Sequence, residues 1–369
     1  MGYAELTPAQ VLAPGFAAPE VTGRAWRVRW DRARPIGAAA LPAVVDFHTS
    51  GTTGPRQRWR RLGPKVWAEA GMLAELVAPG RPDAVISFVP PVHLFGALTT
   101  VLVPARLGVP AWYRESFFGE LPDVGGGRPV VMATPWIFEL LLRHLDWVRG
   151  LEHLTVLYGG AMLPATAGDL LRELGPERVL LVEVLGSTEA GGIATRSWRE
   201  GEPPDWQLFP DVDFAGPVTA GVEVPLAVTG PRLAFRPGEP VPGSWTGDDR
   251  VVPLGPRTFR HAGRAGRLVK VNGRRINLDD AEHTLRALLD CADLALVPVA
   301  DPKIGEHVEL HLALRPGAEV ADLDLAAAFA RLGVRPRKLH VVPRIARSAL
   351  GKLRHVPTPP TPDEEVAAR

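Results

Sequence analysis

The chain has 369 residues, 46% of them hydrophobic, a formal net charge of +1 at pH 7 and a single cysteine. That length suits two domains with real cores, and so balanced a charge does not favour nucleic-acid binding. Cys291 alone excludes an internal disulfide, so no oxidising compartment is implied, and a buried structural thiol is expected there. The front of the chain carries Glu5 and Pro8 and no long apolar run, unlike a signal peptide. The elements follow in chain order. An apolar strand is predicted over Leu41–Phe47, then a helix over Val66–Leu76 and a strand over Ala84–Val89. The most apolar stretch, Ala97–Tyr113, is broken by Pro104, Arg106 and Pro110, which argues against a membrane span. Strands at Val130–Met132, Leu154–Tyr158, Val179–Val184 and Val251–Val252 alternate with helices at Trp136–Trp147 and Ala165–Leu174. Such alternation predicts an α/β domain with a parallel sheet between helices. Around Gly255–Gly263 the pattern changes. A strand pair (Arg267–Val271, Arg275–Leu278), a helix (Asp280–Leu289), strands at Leu294–Pro298 and Val308–Leu314 and a helix at Leu323–Leu332 predict a small α+β domain. The expected division is 1–263, 264–356 and a proline-rich, disordered tail, 357–369.

Behind the first apolar strand, residues 46–54 read Asp-Phe-His-Thr-Ser-Gly-Thr-Thr-Gly. A loop of small and hydroxylated residues suits phosphate: Gly51 and Gly54 let the backbone approach a ligand, and Thr49, Ser50, Thr52 and Thr53 add hydroxyl donors to the backbone N–H groups. It is not a Walker A loop, because no Gly-Lys-Ser/Thr closes it. Four more segments follow: Leu185-Gly186-Ser187-Thr188-Glu189; Trp245-Thr246-Gly247-Asp248; Gly263-Arg264 through Lys270-Val-Asn-Gly273-Arg-Arg-Ile276; and Ser348-Ala-Leu-Gly351-Lys352. This ordered set resembles the adenylate-forming superfamily of acyl-CoA synthetases, aryl acid ligases and peptide-synthetase adenylation domains, over roughly residues 40–355. Gly186–Ala194 with Trp206 and Phe209-Pro210 is most similar to compact ligases that load acyl or aryl acids.

The resemblance implies a two-domain enzyme that activates a carboxylic acid with ATP and Mg²⁺ and passes the acyl group to coenzyme A or an acyl carrier protein. Thr49–Gly54 would hold the β- and γ-phosphates, with Gly186 and Ser187 leading to Thr188 beside the α-phosphate. Glu189 would offer Mg²⁺ a hard oxygen ligand. Asp248 would accept both ribose hydroxyls while Arg264 donates to the same diol, with Asp249 as the off-by-one alternative. Lys352 is the main catalytic candidate. Only five of the 42 basic side chains are lysine, and a compact point charge suits bridging the attacking carboxylate and the α-phosphate. Lys270 would support later chemistry, or be an ordinary hairpin lysine. His93 would gate the acyl pocket, lined by Tyr158, Gly159, Gly160 and Ala161, though Tyr158 is equally readable as core. No acid occurs in residues 88–98, which counts against an α-amino acid substrate.

Three departures from the family pattern stand out. The phosphate loop continues Gly54-Pro55-Arg56-Gln57-Arg58 without the usual lysine, so Arg56 or Arg58 is expected to substitute. The hinge position falls on Gly266. Few residues precede the loop, so a shortened front, a more open site, or a homodimer or other partner completing it is expected. The basic residues Arg264, Arg267, Lys270, Arg274 and Arg275 form either a surface for a nucleotide phosphate or an acidic carrier, or a solvated hairpin face. A cytoplasmic enzyme without nucleic-acid or membrane partners is the expectation. Two alternatives stay open: activation of another oxyanion such as nitrite, as in diazotases, and a non-catalytic ATP-binding partner. No Gly-x-Ser-x-Gly elbow supports a hydrolase.

Overall fold

The computed structural model describes residues 2–12, 16–49, 57–115, 120–161, 163–271, 274–301, 305–347 and 353. Among these residues the chain forms two compact units, one ending at Gly266 and the other starting at Arg267.

The larger unit is built on a 13-stranded sheet, counted among the described residues. Its first half opens on two short edge strands, Ala4–Leu6 and Trp26–Val28, the second antiparallel to Ala111–Tyr113, and then joins Ala111–Tyr113, Ala84–Ser87, Pro129–Ala133, Leu154–Gly159 and Val179–Ser187 in parallel. These strands are continuous apolar runs because both faces are covered. Val130 and Met132 point into one core with Val85 and Leu157, while Val131 and Ala133 point into another with Ile86 and Val156. The first core is closed by the helix Gly63–Val77, through Val66, Ala70, Leu73 and Val77; the second by Pro135–Arg143 and Thr166–Leu174.

The parallel expectation holds only for this half. From Val179–Ser187 onward the strands Gly191–Trp198, Trp206–Leu208, Thr258–Arg264, Trp245–Pro253, Val224–Thr229 and Asp213–Phe214 pair antiparallel, so the sheet is mixed. The helix expected over 136–147 is two helices, Pro135–Arg143 and Leu145–Arg149, broken where His144 leaves helical geometry at φ −115°, ψ 44°. The apolar stretch from Ala97 winds as a buried π-helical segment, Ala97–Leu102, and then the helix Val103–Leu107. No helix among the described residues is long and apolar enough to cross a membrane.

The smaller unit has a hairpin, Leu268–Val271 with Arg274–Asn277, and a three-stranded sheet of Asp293–Asp301, Gly305–Ala313 and Lys338–Val341. Its helices Leu278–Leu288 and Leu325–Leu332 share a core with Leu294, Leu296, Leu310 and Leu312. Cys291 is half-buried beside that core, and burial pushes its thiol up, away from reactivity. Arg267 is no part of a solvated basic face. Its guanidinium donates to Asp279 at 2.9 Å, to the Leu296 carbonyl at 2.8 Å and to Glu282.

Candidate active site

The strands flanking the first expected signature segment are bound into one frame with two of the others within the larger unit. The strands Val44–Thr49 and Gln57–Leu62 form a hairpin in register Thr49 with Gln57, so the hydroxyl-rich segment connects two paired strand ends. Ser50, Gly51, Thr52, Thr53 and Gly54 lie outside the described residues, as do Arg56, Gly351 and Lys352. Arg58 is engaged otherwise than expected: it donates to Asp46 on the paired strand at 2.6 Å.

The second segment is the tight turn Thr188-Glu189-Ala190 between Val179–Ser187 and Gly191–Trp198. Its closeness demands glycine on both sides. A Cβ on Gly186 would lie 2.4 Å from the Gly191 carbonyl oxygen, and Gly191 itself sits at φ +77°. The Ser187 hydroxyl accepts the Ala190 N–H at 3.1 Å and stiffens the turn. Residues 232–235 then clamp turn and hairpin together. The Ala234 N–H donates to the Glu189 carbonyl at 2.7 Å, while Phe235 and Arg60 exchange backbone bonds of 2.9 and 2.8 Å. Trp59, on the hairpin, meets Trp245 edge to face at 5.5 Å, which ties in the strand that carries Asp248.

Beneath the turn lies a buried ion network that sequence reasoning missed. Glu69, on the helix Gly63–Val77, accepts from the Gly192 N–H at 2.6 Å and from Arg61 at 2.8 Å, and pairs with Arg232 at 3.2 Å. Arg61 also donates to the Arg232 carbonyl at 2.7 Å and to the Thr188 carbonyl at 3.4 Å. Arg232 closes the set on the Gly192 carbonyl at 2.7 Å and on both Asp211 oxygens at 2.7 and 2.9 Å. Arg61, Glu69 and Arg232 are at most 2% exposed. Taking such charges out of water costs several kcal/mol each, so the network holds because two cations meet two anions and hydrogen bonds satisfy most of the remaining donors, Arg61 Nε and Arg232 Nη1 excepted. Burial pushes Arg61 down in pKa; on Arg232 burial acts the same way, but Glu69 and Asp211 overcome it and hold the group up. The network positions the backbone of Thr188 and Gly192. No local motif marks it, since its members come from four separate elements.

Glu189 is half-buried, and among the described residues its carboxylate makes no ion pair or hydrogen bond. A hard oxygen donor on a backbone-anchored turn fits one ligand position of Mg²⁺, whose remaining ligands come from phosphate and water.

Asp248 and Asp249 alternate along the strand Trp245–Pro253 and so face opposite ways. Arg264 stands 3.6 Å from Asp248 and 3.7 Å from Asp249, but the Asp248 side chain is 74% exposed whereas Asp249 is 24% exposed and also bonded to His261 at 3.0 Å. Asp248 is thus the more exposed carboxylate of the two. Asp248→Ala is expected to raise the KM for ATP by about tenfold to a hundredfold, the worth of one or two charge-assisted hydrogen bonds. Steady-state kinetics on Asp248→Ala and Asp249→Ala check this; a defect confined to Asp249→Ala moves the role to that residue.

Of the expected pocket residues, His93 precedes the short helix Leu94–Gly96 and is half-buried. Tyr158 belongs to the core: its ring is fully buried 5.4 Å from Phe138, and burial followed by the Glu183 charge pushes its hydroxyl well above the ordinary range. The space beside Gly159 is filled by Phe95, whose ring atoms lie 3.1 Å from where a Cβ would stand. Gly160 and Ala161 are half-buried at the end of that strand. Phe95 therefore joins His93, Gly160 and Ala161 as a lining candidate, a residue that the sequence reading passed over.

Residues 41–240 match the family described as AMP-binding enzyme. The 4-coumarate–CoA ligase of Cereibacter sphaeroides is 30% identical over 174 residues, covering 46% of this chain and 40% of that protein. The 4-coumarate–CoA ligase of Halorhodospira halophila is 26% identical over 317 residues, 84% of this chain and 74% of its own. The ATP-bound MatB structure from Rhodopseudomonas palustris superposes with a TM-score of 0.64 at 19% identity, over 84% of this chain and 66% of that one. The chain thus spans less than half of the first of these ligases and just under two thirds of the MatB chain.

Proposed function

Because this chain belongs to the family of AMP-binding enzymes, we propose that it forms acyl adenylates, activating an aryl or short acyl acid with ATP and passing it to a thiol. The observation that carries this reading is the single frame holding the phosphate-loop hairpin, the Thr188–Glu189 turn and the Asp248 strand. In the first step a carboxylate oxygen attacks the α-phosphorus and pyrophosphate leaves; in the second a thiolate attacks the acyl carbon and AMP leaves. A negative nucleophile and a polyanionic leaving group repel unless they are positioned in line and their charge is met. Thr49–Gly54 would grip the outer phosphates, with Arg56 in place of the missing loop lysine. Glu189 would hold Mg²⁺, which supplies charge neutralisation across the phosphates. Asp248 and Arg264 would take the ribose, and Lys352 would bridge carboxylate and α-phosphate. His93, Phe95, Gly160 and Ala161 would bound the acyl group. Gly266, the last described residue of the larger unit, would be the pivot between the two half-reactions.

The aryl preference is supported by the relatives named as 4-coumarate–CoA ligases, and the thiol acceptor by the same names. The test is ATP–pyrophosphate exchange across benzoates, cinnamates, short fatty acids and nitrite, followed by thioester formation with coenzyme A or a phosphopantetheinyl carrier. Exchange driven by an aryl acid is the expected result. Exchange driven by nitrite alone, or ATP binding with no exchange for any acid, overturns it.

A further inference from the structure

The smaller unit carries a cluster that the adenylation chemistry does not use. In the strand Gly305–Ala313, residues 307–311 read His-Val-Glu-Leu-His, so His307, Glu309 and His311 share one face while Val308 and Leu310 enter the core on the other. The parallel neighbour Lys338–Val341 sets His340 directly beside His311. One potential ligand atom from each of Glu309, His311 and His340 lies within 4.8 Å of the other two. The His340 Nε2 is 2.7 Å from Glu309 Oε2, His307 Nε2 is 3.2 Å from Oε1, and the His311 and His340 rings stand 4.7 Å apart.

Two features set this cluster apart from an ordinary surface group of histidines. Glu309 and His311 are each only 3% exposed, and the His311 Nδ1 has no hydrogen-bond partner among the described residues. A buried polar atom without a partner is costly and calls for an occupant. Lys338, whose Nζ is 3.6 Å from Glu309 Oε1, does not block the place, because its side chain is 58% exposed and its flexible stem reaches water.

We propose that Glu309, His311 and His340 form a binding site for a divalent first-row metal ion, with Zn²⁺ the best match. Two imidazoles and one carboxylate are borderline donors suited to that ion, and a water completes a tetrahedron. Ligand atoms about 2 Å from the metal stand about 3.3 Å from one another. The bonded His340–Glu309 pair opens slightly to reach that spacing, and the wider separations close. The metal takes the place of the hydrogen bond between His340 Nε2 and Glu309 Oε2. His307 acts from outside, orienting Glu309 as an outer-shell partner. Bound there, the ion pins the strand Lys338–Val341 to its neighbour.

The full-length protein, purified with a tag free of histidine and stripped of metal, is titrated with ZnCl₂ and separately with CoCl₂. Expected are one equivalent of zinc retained through desalting, cobalt absorption bands of tetrahedral intensity, and a thermal midpoint that rises with zinc concentration. His311→Ala and His340→Gln are each expected to lose at least about a hundredfold in zinc affinity, and His307→Ala about tenfold. Far-UV circular dichroism confirms that each variant is folded. The proposal falls if the wild-type protein retains no zinc, or if folded His311→Ala and His340→Gln bind it as the wild type does. Should either variant fail to fold, the cobalt spectrum of the wild-type protein decides: octahedral, weak bands overturn the site.

Discussion

Replacing Lys352 by alanine is expected to slow adenylate formation by about a hundredfold or more, equivalent to about 2.7 kcal/mol of transition-state stabilisation, while ATP affinity stays almost unchanged. The asymmetry follows from where the charge is needed. In the ground state the carboxylate and the α-phosphate repel; only as the new P–O bond forms does one cation touch both, so its worth falls on the transition state. Arginine is a poor substitute, being a broad planar fork where a compact ammonium is required, and Lys352→Arg is expected to recover little. Pyrophosphate exchange and an ATP-binding titration on the same preparations separate the two effects. Exchange near the wild-type rate in Lys352→Ala would remove this residue from the reaction.

Glu69→Gln is expected to cost about 3–5 kcal/mol of folding stability, a large fraction of the 5–15 kcal/mol typical of a domain. The amide keeps the volume of the side chain but removes its charge, leaving Arg61 and Arg232 in the interior with Asp211 as the remaining anion. The Gly192 N–H loses its charged acceptor too, so the Thr188–Glu189 turn loosens. Exchange activity should therefore fall more steeply with temperature in this variant than in the wild type. Glu173→Gln is the control: its pair with Arg149 is exposed, and the expected change is under about 1 kcal/mol. Denaturant unfolding of both variants measures the contrast. A midpoint for Glu69→Gln within the range of Glu173→Gln would show that the buried network does not anchor the turn.

The α/β class and the small α+β unit were legible in the sequence, because periodicity is a local property. Val130–Met132 and Leu154–Tyr158 read as strands from their continuous apolar runs, and the structure places them there because both faces are buried. The signature segments were legible for a related reason: each is a short run of contiguous residues, so its pattern can be read without knowing what packs against it. Gly186 and Gly191 make the turn possible whatever surrounds it. What depended on pairing between distant segments was not written locally. The antiparallel half of the sheet follows from the tight return at Thr188–Ala190, and the break at His144 from a backbone departure inside an otherwise helical pattern. That Asp248 is open while Asp249 is engaged depends on His261, on another strand. Nothing in the local sequence marks Arg61, Glu69, Asp211 and Arg232; the fold buries three of them together. The alternation of His307, Glu309 and His311 lies within one strand, but His340 joins them only through strand pairing. Local pattern fixes which face a residue occupies; only tertiary structure decides what stands opposite it, and a charge or an imidazole acquires its function from that neighbour.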